Sequence, residues 1–191
     1  LQEEIEFQQA MVYMGSLSML IIFGLMAVAF KSYWQPFLVL TAVPFGLMGA
    51  IFGHWLLGWQ VSMFSIMGVI ACAGVVVNDN LVLIDRVNTL RDEGMELIDA
   101  LLQGATNRFR PIVLTSVTTF VGLVPIMLET SVQAQFLIPM VVSLSFGVMF
   151  ATGVTLILVP ALYLLGDDVG EFFATLTKRK IDRAGADLPT V

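Results

Sequence analysis

The sequence predicts an all-α membrane protein: a five-helix transmembrane bundle with one amphipathic cytoplasmic helix. Hydrophobic residues make up 58% of the chain and charged residues 13%, whereas soluble domains hold about 45–50% apolar and about 25% charged residues. Five apolar runs are long enough to cross a bilayer, which takes about 20 residues. All basic residues fall in alternate connections between these runs or in the tail after the last run, as expected of a multi-pass membrane protein.

The five apolar runs define the predicted organisation of the chain. The predicted spans cover residues 10–30, 36–57, 61–84, 111–129 and 136–165. Residues 1–9 precede the first span and are predicted to end a periplasmic segment, and residues 166–191 form a polar tail. Leucines recur at near-helical spacing over 88–105, with acidic residues between them, which predicts an amphipathic helix along the membrane surface, with a possible break at Gly94. The chain begins at Leu1 without a secretory signal, and a piece of a longer protein is the simplest expectation.

Charge sets the predicted orientation. The nine basic residues are Lys31, Arg86, Arg91, Arg108, Arg110, Lys178, Arg179, Lys180 and Arg183. The positive-inside rule places residues 31–35, 85–110 and the C-terminus in the cytoplasm, and the acidic N-terminus in the periplasm. The bilayer is therefore the expected surrounding. The net charge of the chain is −6, whereas a nucleic-acid-binding protein is expected to carry a basic surface. Nucleic acid is therefore not a predicted partner.

The third span carries the predicted functional carboxyl group. At 100° per residue, Ser65, Gly68, Cys72 and Val75 fall within about 40° of Asp79. This small, polar stripe is predicted to face other helices. The bulky opposite side is predicted to face lipid, and consists of Ile66, Ile70, Val77, Leu81 and Ile84.

Asp79 is predicted to lie inside the hydrocarbon depth, toward the cytoplasmic end of its span. A carboxylate there is costly, about 2.5–3.5 kcal/mol at mid-helix, and no lysine or arginine lies within the spans to neutralise it. A carboxyl group that gains and loses a proton is what proton-coupled transport requires. The alternative is a structural Asp79 that reaches the interface. Asn78 and Asn80 flank it and either orient it or pack against a neighbouring helix.

The second and fourth spans carry small-residue faces. Gly46, Gly49 and Gly53 predict close helix packing, as do Gly68 and Gly122 in the other spans. The fourth span has a seam of small, hydroxyl and proline residues at spacings of three and four: Pro111, Thr115, Thr118, Gly122, Pro125 and Glu129. Its threonines are predicted either to relay protons with Asp79 or to hold helices together.

Enzyme, metal and cofactor sites are not predicted. His54 is the single histidine of the chain, and it has no convergent ligands nearby in the sequence, as a metal site would need. No nucleophile and base, phosphate loop or cofactor motif is present. A membrane transporter is therefore predicted in preference to an enzyme.

Several segments resemble the resistance-nodulation-cell division (RND) family of efflux permeases, over about residues 10–165. The family's tenth helix, cytoplasmic helix and eleventh helix resemble GVVVNDNLVLIDRVNTLRDEGMELIDALLQGATNRFRPIVLTSVTTFVGLVPIML. The junction of its eighth and ninth helices resembles AFKSYWQPFLVLTAVPFGLMGAIFG, and its twelfth helix resembles VSLSFGVMFATGVTLILVPALYLL. The subgroup resembled is the hydrophobe/amphiphile exporters, and the part resembled is the C-terminal transmembrane half, helices eight to twelve.

The resemblance implies a twelve-helix permease with large periplasmic domains, assembled as a homotrimer in the bacterial inner membrane. It implies that protons entering the cell drive multidrug or amphiphile efflux, together with a periplasmic adaptor and an outer-membrane channel. The remainder of the permease, including its first-half helices, would be the chain's immediate partner.

The resemblance also implies residue roles in proton relay. Many members carry a lysine on the tenth helix, paired with aspartates on the fourth helix, and that position here is Asn78. This departure shifts the expected role to Asp79. Thr115 matches the relay threonine of the eleventh helix and Arg108 a functional arginine before it; Thr118 is a further candidate. The alternatives are a non-transporting membrane fragment or an assembly or regulatory protein, and a lipid or protein exporter of the same superfamily. Heavy-metal export is less favoured by the sequence, because it shows no methionine pairing and no acidic cluster at metal-ligand spacing.

Overall fold

The computed structural model describes the backbone of residues 2–186 and the side chains of residues 5–166. Residues 2–186 form seven helices and no strand, which confirms the all-α prediction. The helices are α1 (Gln2–Phe30), α2 (Trp34–Leu40), α3 (Val43–Leu57), α4 (Met63–Asp92), α5 (Leu97–Met127), α6 (Val132–Gln135) and α7 (Ile138–Ala186).

Five segments of the described chain are long and apolar enough to cross a membrane, as predicted. They are Ile5–Phe30, Trp34–Leu57, Met63–Asp92, Leu97–Met127 and Ile138–Gly166. The second segment joins α2 and α3, which the sequence predicted as one span. The break lies where Pro44 enters α3, because its ring excludes a helical carbonyl four residues earlier, and α2 ends at that residue, Leu40.

The predicted separate helix over 88–105 is absent from the structure. Residues up to Asp92 continue α4, and residues from Leu97 already belong to α5. The turn between them is a Schellman motif, in which the N–H groups of Gly94 and Met95 donate to the carbonyls of Arg91 and Leu90. Gly94 supplies the left-handed backbone, with φ at 90°. The leucine spacing was therefore that of two helix ends folded against each other.

The last helix, α7, continues past the predicted end of its span at 165 and runs to Ala186. Of the predicted tail over 166–191, the final five residues lie outside the described chain, as do all side chains after Gly166. The predicted cytoplasmic location of this tail and of its basic residues stays a prediction.

Helix α7 is the centre of the bundle and packs against α3, α4 and α5. One apolar core lies among α1, α2, α4, α5 and α7 and includes Leu38, Leu83 and Val87. A smaller one joins α3, α4 and α7 around Cys72, whose side chain is fully buried. Helix α1 is peripheral, and it packs mainly against α2 and α4.

The small stripe of α4 is buried as predicted at Ser65, Gly68 and Cys72. The prediction that the opposite side faces lipid is wrong for Val77 and Ile84, which are buried in the first core. The physical reason is that the Asp92 end of α4 is surrounded by other helices, so two of its sides are covered there.

Candidate functional site

Glycines set the close approach of the helices that frame α4. A Cβ atom placed on Gly49 would lie 2.5 Å from the Cβ of Phe150, and one on Gly53 would lie equally close to the ring of Phe146. Gly46 faces the sulfur of Cys72, and Gly68 packs on the backbone carbonyl of Met140. These four glycines of the predicted packing set therefore lie at helix contacts. The fifth, Gly122, has nothing within 4 Å of the corresponding position.

Asp79 lies on α4, within the span Met63–Asp92. Its Oδ2 atom is buried and has no hydrogen-bond partner within the described part of the chain. Its neighbours differ: Asn78 is exposed, whereas Asn80 is buried with its Nδ2 atom also unpartnered. A buried carboxyl oxygen without a donor is costly. The side chain is therefore incompletely satisfied by this chain alone.

The packing of α4 on α5 fixes the depth of Asp79 relative to the other predicted relay residues. The two helices run antiparallel, and a Cβ placed on Gly104 would lie 2.7 Å from Cγ2 of Val87. From that contact to Asp79 is about 12 Å along α4, at about 1.5 Å per residue. On α5, Arg108 and Thr115 lie about 6 and about 16 Å from the same contact. Asp79 is therefore at a depth between them.

The relay threonines and Arg108 make no hydrogen bond to Asp79 among the bonds described. Thr115 donates to the carbonyl of Pro111 at 2.9 Å, and Thr118 donates to that of Leu114 at 2.8 Å. Both threonines are exposed, and the Nε atom of Arg108 is buried without a hydrogen-bond partner among the residues that the structure describes. Asp79 thus lies at a depth between Arg108 and Thr115, but the described hydrogen bonds do not link Asp79 to Arg108 or to the threonines.

A second polar region, inside the bundle, was missed by sequence reasoning. The hydroxyls of Ser116 and Thr152 form a 2.7 Å hydrogen bond between α5 and α7, and both residues are buried. On α7, the Oγ atoms of Ser143 and Ser145 are buried without a partner in the described chain. Ser116 directly follows Thr115, so only the rotation of α5 about its axis decides which hydroxyl faces inward.

His54 is buried, and both nitrogen atoms of its imidazole ring lie within hydrogen-bond distance of another residue. Its Nδ1 lies 2.9 Å from the carbonyl of Ala50, which can only accept, so Nδ1 carries the proton. Its Nε2 lies 2.8 Å from Oγ of Ser65 on α4 and accepts from that hydroxyl in the neutral imidazole. The pair joins α3 to α4. Among the described residues, no group of three histidine, cysteine or acidic residues is placed to hold a metal ion.

Comparison with known proteins identifies the family. The model of the AcrB/AcrD/AcrF family matches residues 1–167. The chain belongs to this family. Its five candidate spans make it a multi-pass membrane protein of the RND permease family.

Individual relatives of this family are similar over most of the chain. The cobalt-zinc-cadmium resistance protein CzcA of Cupriavidus metallidurans is 33% identical over 148 residues, 78% of this chain. The protein HelA of Legionella pneumophila is 34% identical over 148 residues, 77% of this chain. A crystal structure of a heavy metal efflux pump superposes with a TM-score of 0.76 at 29% identity over 86% of this chain. The chain spans 14% of the length of both curated relatives and 16% of that structure.

Proposed function

We propose that this chain is the C-terminal transmembrane portion of a proton-driven efflux permease, in which Asp79 takes part in proton transfer. The observation that carries the proposal is the buried, unpartnered Oδ2 of Asp79 within a membrane span. An ionisable residue at such a position is a functional candidate, because an unpaired charge in hydrocarbon is expensive.

The partner of Asp79 is proposed to come from the first-half helices of the permease. The exposed residues Asn78, Thr115 and Thr118 belong to faces of α4 and α5 that the described chain leaves uncovered. Polar and hydroxyl groups on uncovered transmembrane faces serve contacts with further helices. A helix packed there would bring new donors or acceptors to the level between Arg108 and Thr115.

The family and the charge pattern support a proposal for the membrane, the orientation and the partners of the protein. We propose the bacterial inner membrane, with the N-terminus periplasmic and the C-terminus cytoplasmic, because the basic residues lie at alternate connections. A homotrimer working with a periplasmic adaptor and an outer-membrane channel is proposed from the resemblance to RND permeases.

Two substrate classes are candidates. Divalent metal cations are supported by the names of similar proteins, a cobalt-zinc-cadmium resistance protein and a heavy metal efflux pump. Drugs and other amphiphiles are supported by the resemblance of the GVVVNDN stretch to the amphiphile exporters. We place metal cations first, because the similarity to the named relatives extends over most of the chain.

The experiment uses the full-length permease in a bacterial host that lacks its own efflux permeases. Resistance to cobalt, zinc and cadmium salts is compared with resistance to dyes and detergents, which separates the two substrate classes. Asp79→Asn keeps the size of the side chain but cannot ionise, and is expected to lower resistance to the level of the host alone. Glu93→Gln removes an exposed carboxylate just after the same helix and is expected to leave resistance unchanged.

Proton coupling is measured directly in inverted membrane vesicles. Substrate addition to the energised wild-type vesicles is expected to release protons and dissipate the pH gradient, and Asp79→Asn is expected to abolish this response. Full export by Asp79→Asn at wild-type expression would reject the proton-transfer role of Asp79.

A further inference from the structure

A polar cavity of about 670 Å³ lies at the end of the spans where the basic connections are, away from Asp79. It is bounded by the C-terminal end of α1, the start of α2, the last turns of α4, and α7. Its volume lies within the range of about 300–1,000 Å³ that ligand sites occupy. The proposed proton path uses none of its residues.

A closed hydrogen-bond network forms one wall of the cavity. The amides of Gln35 and Asn88 bond reciprocally at 3.0 and 2.9 Å. The hydroxyl of Tyr163 donates to Oδ1 of Asn88 at 2.9 Å and accepts from Nε2 of Gln35 at 3.1 Å. Three helices are thereby tied together, so the cavity has a fixed wall and is more than a gap between mobile side chains.

The charged lining residues are of both signs. Lys31 and Arg91 supply two cations, and Asp85 and Asp92 supply two carboxylates. Both carboxylates lie on one face of α4, seven residues apart, with Asn88 between them. Lys31 has a left-handed backbone, with φ at 52°, alone among the non-glycine residues described. A lysine held at a position that favours glycine points to a use for its side chain.

The cavity adjoins surfaces suited to the headgroup level of a bilayer. Tyr33 and Trp34 follow Lys31 and are exposed, as aromatic residues at membrane interfaces are. Phe30 of α1 lines the cavity. Leu25 and Val28, which precede Phe30 in the same helix, have exposed apolar side chains. A molecule with a polar head in the cavity could lay its apolar part along α1.

We propose that this cavity binds the headgroup of a zwitterionic aminophospholipid from the surrounding bilayer, of the phosphatidylethanolamine class. A phosphate group is recognised by lysine and arginine, and a primary ammonium by carboxylates with hydrogen-bond geometry. Purely basic pockets select anionic lipids. The two carboxylates of this cavity would repel such lipids, and a choline headgroup lacks the N–H donors that carboxylates accept.

Native mass spectrometry of the purified full-length permease tests this assignment, with phosphatidylethanolamine, phosphatidylglycerol and phosphatidylcholine of identical chains added one at a time. The ethanolamine lipid is expected to bind about tenfold more tightly than the other two, the effect of one charge-assisted hydrogen bond. Lys31→Gln is expected to weaken binding of both phosphatidylethanolamine and phosphatidylglycerol. The control variants Glu93→Gln and Arg110→Gln change exposed charges outside the cavity and are expected to bind lipids as the wild type does.

The double variant Asp85→Asn, Asp92→Asn provides the sharpest readout. It is expected to shift the preference toward phosphatidylglycerol, a gain of binding that misfolding cannot produce. Equal binding of the three lipids by the wild type, or an unchanged preference in the double variant, would overturn the assignment.

Discussion

A close approach of α3 and α7 makes a quantitative prediction at Gly49. A Cβ atom there would lie 2.5 Å from Cβ of Phe150 and 2.6 Å from the carbonyl oxygen of Phe146. Both neighbours belong to the α7 backbone or its first side-chain atoms and cannot rotate away. Gly49→Ala therefore forces α3 and α7 apart, with an overpacking cost of about 1–3 kcal/mol.

A matched control isolates that cost from helix propensity. Alanine is favoured over glycine in a helix by about 1 kcal/mol, a gain that Gly49→Ala shares with any other such change. Gly24 lies on α1, with nothing within 4 Å of an added Cβ. The difference between Gly49→Ala and Gly24→Ala therefore reports the contact alone, and is expected to be about 1–3 kcal/mol in the free energy of unfolding.

The assay is unfolding of the full-length permease in mixed micelles with increasing sodium dodecyl sulfate. Gly24→Ala is expected to unfold at the wild-type detergent fraction or above it, and Gly49→Ala below it. Equal midpoints for the two variants would refute the claim that α3 and α7 are in contact at Gly49.

Two hydrogen-bond predictions follow from the same unfolding assay. Ser116→Ala leaves the buried hydroxyl of Thr152 without its 2.7 Å partner, and is expected to cost about 1–3 kcal/mol. Ser116→Ala combined with Thr152→Val is expected to cost less than the sum of the single changes, and strict additivity would contradict the bond. Tyr163→Phe removes a hydroxyl that bonds to both Gln35 and Asn88, and is expected to lower the free energy of unfolding by about 1 kcal/mol. An unchanged midpoint would show that the hydrogen-bond network does not stabilise the bundle.

The span count could be predicted because length and apolar content suffice to identify a membrane helix. Helix ends could not be predicted equally well. The break before Val43 depends on a single proline, and the turn after Asp92 depends on Gly94 adopting a left-handed backbone. The regular leucine spacing continued across that turn, so periodicity alone merged two helix ends into one helix.

The candidate site was predicted in part because one carboxyl group inside an apolar run is conspicuous. The surrounding polar contacts depend on how each helix is rotated about its axis, which the sequence of one chain does not fix. Ser116, and not its neighbour Thr115, faces the interior of this bundle. His54 and Ser65 lie on different helices, and their hydrogen bond arises only when α3 packs against α4.

Cys72 has a practical consequence for spectroscopy. It is the single cysteine among these 191 residues, and its side chain is fully buried where α3, α4 and α7 cross. A thiol enclosed in this way is inert toward reagents in solution. A fluorophore or spin label can therefore be attached to a cysteine introduced on an exposed part of this region while the native thiol stays in place and the helix crossing stays intact.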